Sequence, residues 1–388
     1  MKKIKISSLV YVALFVLLIG VVGFFSAKKL VSFYVNDEIV NNEYDEERGS
    51  KLEMDIASNF FGQFEFVNIN GLFHRILGQR EMNEVVKLKN GHLYHPIGYV
   101  DDETLEKYAD RVALFDKYLE SRGTDLIYIM TPYQICPYHD YLPEGIEEYG
   151  NSDVDRMFAY LDVRGIDTLD IRKRMHDDGI DQCDMIYITD HHWTTQAGFY
   201  AYGLLEDYIK DKTGCEVDAK ITDESQYDIR KYEKWHLGSW GNDVGRYFAG
   251  VDDFYLYVPK FDTNLTNDFG QTGKMQELAY NMETLQKRDV SSKYTYDHVL
   301  TNSAQHFVNN DCINDVKVLI VGDSFSRTVC PFLAMGYSEM DFMPDYETSR
   351  ITMEYIEKYD PDVVIMLYYP SFGIRSTAYE FQVPEDLN

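Results

Sequence analysis

The chain has 388 residues, 45% of them hydrophobic, which suits one large core or two smaller ones and is too apolar for a disordered chain. Its 37 Lys and Arg against 65 Asp and Glu leave a net charge of −28, a field that repels a phosphate backbone and argues against nucleic acid as a partner. Five cysteines, an odd number without CxxC spacing, indicate neither a zinc site nor a disulfide framework and leave room for one or two bridges at most.

At the N-terminus, Lys2, Lys3 and Lys5 precede an apolar run from Leu9 to Phe25, with Lys28 and Lys29 beyond it. That is the pattern of a membrane-targeting segment. As a helix rising about 1.5 Å per residue the run spans about 25 Å, the lower limit for crossing a bilayer and longer than a signal peptide's apolar region. Bulky Phe25 stands where a cleavage site after Ala27 wants a small residue, so residues 1–29 read as an uncleaved anchor rather than a removed signal. In either case the remainder lies outside the cytoplasm. Residues 30–60 are charged and aperiodic, as a stalk would be, and 61–388 read as the folded domain.

Asp101, Asp102 and Glu103 open a helix with Leu105, Tyr108, Val112, Phe115 and Leu119 at helical spacing and Gly123 at its end. Residues 125–130 form a short apolar strand stopped by Thr131-Pro132. The unit repeats, with Ser152 as cap, Val154, Met157, Phe158 and Leu161 on the helix, Gly165 after it and a strand over 166–169. Residues 187–189 are predicted extended, and Thr194 or Thr195 caps a long helix through Gly198, Tyr202, Leu205 and Tyr208. From about 214 to 310 the composition turns to Asp, Asn, Tyr, Gly and Lys with a β-like piece at 254–258, which reads as an insertion or cap. A strand at 316–321, helices at 326–335 and 351–359, and a strand at 361–368 complete the chain. Helices alternating with wholly apolar strands predict a three-layer α/β/α domain around a parallel sheet.

Two strings carry chemistry: Asp190-His191-His192-Trp193, and Gly322-Asp323-Ser324-Phe325-Ser326 directly after a predicted buried strand. A serine between strand and helix sits where backbone N–H groups face a developing oxyanion, and Gly322 lets the chain turn sharply there. Ser324 is therefore the candidate nucleophile, with the Ser324 and Phe325 N–H groups as oxyanion donors. In extended backbone Asp190 and His192 project to one side and His191 to the other, which makes His192 the base, Asp190 its orienter and His191 a structural bystander. Three consecutive residues rarely converge on one metal ion, and with no HExxH or second ligand cluster, neither metal nor cofactor is expected.

Asp190-His-His-Trp-Thr194 followed by Ala197-Gly198, and later Gly322-Asp-Ser-Phe-Ser326, resemble the DHHW proteins and the alginate O-acetylation proteins of the SGNH (GDSL-like) hydrolase superfamily. Thr131-Pro132-Tyr133, Gly238-Ser-Trp-Gly241, Gly245-Arg-Tyr247 and Pro361-Asp-Val-Val364 extend the resemblance. It implies a flavodoxin-like fold, circularly permuted so that the Asp/His motif precedes the serine, and a Ser324-His192-Asp190 triad moving acyl groups to or from sugar hydroxyls outside the cell. Asp-x-His replaces the usual Asp-x-x-His, and no GxND block supplies a second oxyanion donor.

Aromatic residues make up 15% of the chain. Trp193, expected in the core or in the pocket wall, is a candidate substrate contact together with Trp240 and Tyr247, while Trp235, Tyr255 and Tyr257 are further stacking candidates for sugar rings. The expectation is an extracytoplasmic, membrane-anchored serine O-acyltransferase, O-acetyl by resemblance, acting on a polysaccharide and supplied by a multipass membrane acyltransferase partner. An esterase with the same triad and a non-catalytic polysaccharide-binding protein are the alternatives.

Overall fold

A computed structural model of the protein describes residues 6–36, 61–286, 295–300, 305–371 and 376–384. The apolar N-terminal run lies in helix α1 (Ile6–Asn36). Residues 30–36 are thus helix rather than stalk, and 37–60 lie outside the described residues. Helix α2 (Gln63–Ile76) and a small antiparallel sheet of β1 (Glu81–Met82), β2 (Val85–Lys87) and β3 (Leu93–Tyr94) lead into the domain.

Asp101 caps α3 (Asp102–Glu120) by accepting the Thr104 N–H at 2.8 Å, and Leu105, Tyr108, Val112, Phe115 and Leu119 make its buried stripe. Strand β4 (Asp125–Met130), α4 (Gly150–Asp162), β5 (Asp167–Asp170), α5 (Ile171–Asp177) and α6 (Thr195–Thr213) follow, α6 capped by Thr194. Ser152 does not cap α4: the helix already starts at Gly150, and the Ser152 hydroxyl donates to the Tyr149 carbonyl within its first turn.

The predicted insertion contains a hairpin of β6 (Tyr227–His236) and β7 (Asp252–Pro259), linked through α7 (Ser239–Val244) and α8 (Arg246–Ala249). It then supplies β8 (Leu265–Asn267), β9 (Thr272–Gly273), α9 (Thr295–Leu300) and β10 (His306–Asn309). Strands β8 to β10 join the main sheet, so this region widens the sheet as well as decorating it. Strand β11 (Lys317–Gly322), a 3₁₀ turn at Ser324–Thr328, α10 (Cys330–Gly336), β12 (Glu339–Pro344), α11 (Met353–Tyr359) and β13 (Val363–Tyr368) close the fold.

The main sheet runs β5-β4-β13-β11-β12-β10-β8-β9. Its first five strands are mutually parallel, and the last three extend it antiparallel. Read from β11 onward and back through β4 and β5, the parallel part has the flavodoxin-like order 2-1-3-4-5, so the chain is a circular permutation of that fold. Successive residues of the central strands feed two separate cores. Val318, Ile320, Ile365 and Leu367 pack with α6 and α10, while Leu319, Val321, Val364 and Met366 pack with α3, α4 and α11. Both faces are therefore covered, as wholly apolar strands require.

Strands β11 and β13 stand side by side in register, Gly322 opposite Leu367. They flank the point where the strand order reverses, which opens a crevice at their carboxyl ends. The Gly322-to-Ser326 string leaves β11 at this crevice. A Cβ on Gly322 would lie 2.3 Å from both the Leu367 carbonyl oxygen and Ser326 Oγ, so the turn closes only with glycine there.

Candidate active site

Ser324 begins the 3₁₀ turn after β11 and is half-buried. Asp323 shapes this turn: its carboxylate accepts the Phe325 N–H at 2.9 Å and the Tyr369 N–H at 2.6 Å, tying the ends of β11 and β13 together. The Phe325 N–H is thereby engaged and is not free for an oxyanion, which corrects one of the two predicted donors. The Ser324 N–H has no acceptor among the described residues and remains free for that role.

Residues 190–192 do not form the extended strand that their spacing suggested. They lie in a bend closed by an Ile186–Trp193 bridge, with the Tyr187 N–H donating to the His192 carbonyl at 3.2 Å. The bend delivers His192 Nε2 to 2.6 Å from Ser324 Oγ, and His192 Nδ1 lies 3.1 Å from Asp190 Oδ1. It also turns His191 inward, contrary to the predicted alternation. His191 Nδ1 is 2.9 Å from Ser239 Oγ and 3.1 Å from Asp190 Oδ1, and its ring lies 3.8 Å from that of His192.

Asp190 is buried and ringed by donors. Besides His192 it accepts Ser239 Oγ at 3.2 Å and faces His236 Nε2 at 2.8 Å. Burial would raise its pKa, but the His192 charge and the hydrogen bonds from His191, His192 and His236 outweigh that and hold the carboxyl well below its usual range. It therefore stays ionised, as the orienter of an imidazole must. The ligand atoms of Asp190, His191 and His192 lie within 4.8 Å of one another, close enough by distance alone for a metal, yet here they bond to each other, Ser239, His236 and Ser324.

The bend is fixed from behind. Asp252 on β7 accepts the Ile188 and Thr189 N–H groups at 2.9 and 2.8 Å and the Thr189 hydroxyl at 2.6 Å. Gln134, following the Thr131-Pro132-Tyr133 loop, donates to the Asp190 carbonyl at 2.7 Å. The Gly238-Ser-Trp-Gly241 string packs directly on the bend: a Cβ at Gly238 would fall 2.2 Å from that of Asp190, and the Gly241 N–H donates to the Thr189 carbonyl at 2.8 Å.

The aromatic candidates separate by burial. Trp193 is fully buried and donates its indole N–H to the Phe325 carbonyl at 2.9 Å, so it packs behind the serine turn with no face left for a sugar. Trp235 and Tyr257 are core residues as well. Trp240 is half-buried at the rim, 5.8 Å from the His191 ring, and Tyr255 is half-buried beside Lys231. Tyr247 is exposed, but its contacts are with Arg75 and Arg246 rather than the serine turn. Sequence reasoning missed His236, brought to Asp190 by β6, and Tyr296 on α9, whose ring stacks on His192 at 3.9 Å while its hydroxyl donates to the Ser324 carbonyl at 3.1 Å. Nothing local in sequence marks either residue. All five cysteines are unpaired.

Residues 91–231 match the family described as SGNH hydrolase-like domain, acetyltransferase AlgX. A search of curated proteins found no match. Among solved structures, PatB1 of Bacillus cereus with a sulfonyl adduct is similar with a TM-score of 0.62 at 16% identity, covering 78% of this chain and 99% of that one. A DHHW family protein from Eubacterium siraeum is similar with a TM-score of 0.57 at 16% identity, covering 79% and 98%. The match bears out the resemblance read from the two strings, and the structural likeness bears out the fold.

Proposed function

From an SGNH-type acyltransferase or esterase as premise, we propose that this chain is a membrane-anchored O-acetyltransferase acting on a polysaccharide outside the cytoplasm through an acyl-serine. The observation that carries the reading is the continuous line Ser324 Oγ, His192 Nε2, His192 Nδ1, Asp190 Oδ1 at 2.6 and 3.1 Å, beside a Ser324 N–H without an acceptor among the described residues. In the first half-reaction His192 takes the hydroxyl proton as Ser324 Oγ attacks the donor's carbonyl carbon. The Ser324 N–H faces the developing oxyanion, and His192 returns the proton to the leaving oxygen. In the second, His192 deprotonates a sugar hydroxyl, which attacks the acyl-serine and restores Ser324. Asp190, held ionised, stabilises the imidazolium in both. The family's name points to acetyl as the group carried, and the sequence resemblance to the alginate O-acetylation proteins supports a polysaccharide as acceptor.

Helix α1 contains an 18-residue window, Val10–Ala27, of mean hydropathy 2.6, which supports an anchor with the domain on the far side from Lys2, Lys3 and Lys5. Acyl-CoA is cytosolic, so a multipass membrane acyltransferase is the partner that would hand the acyl group across.

The test is to incubate the purified full chain with an acetyl ester and an oligosaccharide, and to follow acetate and acetylated sugar. Acetylated sugar formed by the wild type, with both products lost in Ser324→Ala, supports transfer. Acetate alone makes the chain an esterase, and identical behaviour of wild type and variant sinks the triad. Ser324→Ala is expected to lower product formation at least about 10³-fold without changing Tm. A sulfonyl fluoride should label Ser324 in the wild type.

A further inference from the structure

Helix α2 is amphipathic with its apolar face outward. Phe66, Ile69, Leu72, Phe73, Ile76 and Leu77 recur at three- and four-residue steps and are 38–70% exposed. The opposite face packs Phe64 and Val67 against the buried cluster of Leu237, Val244 and Phe248, and adds closer small and polar contacts. Gly71 lies so close to α7 that a Cβ would fall 2.2 Å from the Val244 carbonyl oxygen, and Asn68 Oδ1 accepts the Arg246 N–H at 2.8 Å. Six large apolar side chains in one exposed stripe mark a surface built to be covered.

Two features identify the cover. The stripe begins at the anchor: the Phe61 N–H donates to Ser26 Oγ at 3.0 Å, and the Phe61 ring stacks on Phe25 at 4.8 Å. Phe25 and Ser26 lie at the outer end of the apolar window of α1, where a spanning helix leaves the hydrocarbon. The charges around α2 are mixed: Arg75, Arg80, Lys87 and Arg246 stand among Glu65, Glu81, Glu84 and Asp243, Arg246 pairs with Glu65 at 3.3 Å, and Arg75 and Lys87 donate to the Tyr247 and Phe248 carbonyls of the domain. An exposed apolar stripe that starts where a spanning helix leaves the hydrocarbon is the pattern of a helix lying in a membrane interface.

We propose that the outward face of α2 lies in the lipid interface of the membrane that α1 crosses, seating the domain on the bilayer rather than holding it away on a stalk. The proposal rests on α1 being a membrane span. Its consequence reaches the candidate active site, because α7, packed on α2, carries the Ser239 that bonds Asp190. One layer of protein then separates the bilayer from the site, where an acyl group passed across a membrane would emerge.

The experiment uses the full chain in vesicles of purified phosphatidylglycerol and phosphatidylethanolamine, with a fluorophore on Ile76→Cys or, as control, on Lys107→Cys, exposed on α3. The labelled wild type is subtracted for the native cysteines. Side chains about 5–10 Å below the headgroup boundary predict quenching by a shallow nitroxide lipid at least about threefold stronger at position 76 than at 107. Equal quenching at the two positions overturns the proposal. So does quencher protection at 76 seen only in native membranes, since a protein partner then covers the face. Alkaline carbonate separates the premises: a chain stripped from the vesicles fails as an anchored protein and takes the proposal with it, whereas a retained chain without quenching at 76 defeats the α2 assignment alone. A Phe73→Glu/Ile69→Glu pair in the Ile76→Cys chain, with Tm as the check on folding, is expected to abolish the quenching while leaving the chain carbonate-resistant.

Discussion

At the residue scale, the feature that sets this site apart is the number of donors converging on Asp190. His192, Ser239 and His236 all reach its two oxygens, and His236 is buried with no exposed surface. A carboxylate free to rotate would let the His192 ring tilt, and the 2.6 Å approach of Nε2 to Ser324 would be held less often. On the proposed mechanism His236 acts through Asp190 as a positioning residue. Replacing His236 by Phe removes a hydrogen bond to a buried charge, and kcat is expected to fall about 10- to 100-fold, or about 1.4–2.7 kcal/mol, with KM for a small ester unchanged. His236→Gln, which keeps an N–H donor, should recover most of that loss. A residue that merely fills space would lower Tm in both variants and leave the kcat/KM split untouched, and that outcome would remove His236 from the mechanism.

At the scale of elements, α3 carries an electrostatic burden that tests its packing against the sheet. Asp116 sits near Glu120 and the carboxylates of Asp125 and Asp167 at the starts of β4 and β5, with Lys212 as a partial counter-charge. Burial first and these carboxylates second push its pKa up to about 7, against about 3.9 in an unfolded chain. Between those values the folded state binds the extra proton, so stability falls as pH rises from about 4 to about 7 and stays level above. Asp116→Asn removes this penalty. Tm is expected to rise at pH 8 and to gain much less at pH 5, and equal gains at both pH values would show that Asp116 titrates normally. Elements such as β4, β11 and β13 were legible because each is a bounded apolar run, buried on both faces. The predicted helix over 326–335 divides into a 3₁₀ turn and α10 because Asp323 tightens the turn around Ser324, an effect of one side chain that periodicity does not register. His191, His236 and Tyr296 were misread or missed for a related reason: a bend, a hairpin and a short helix bring them to the site, and none of these alters the local residue pattern. The apolar stripe of α2 carries a core-like signal yet faces outward, since small and polar residues of its other face make the closer contact.

At the scale of the whole molecule, the net charge of −28 governs which acceptors approach. A polyanionic glycan meets a repulsive field over distances of about 10 Å at 0.1 M salt, and the penalty falls on encounter rather than on the acyl-serine chemistry. With the full chain in neutral detergent, kcat/KM for a polyuronate acceptor is therefore expected to rise several-fold from about 10 to about 200 mM salt, as the Debye length shrinks from about 30 Å to under 10 Å. A neutral glucan of equal length should show no such rise, and hydrolysis of a small uncharged ester should stay flat as the control for catalysis itself. Steered association has the opposite sign: a polyuronate whose kcat/KM falls with salt would mean that local cations, such as the half-buried Arg327 in the turn that begins at Ser324, override the global field. The slope thus separates an enzyme that selects anionic acceptors through local charge from one whose surface disfavours them, and in the second case neutral or amino sugars are the acceptors to supply.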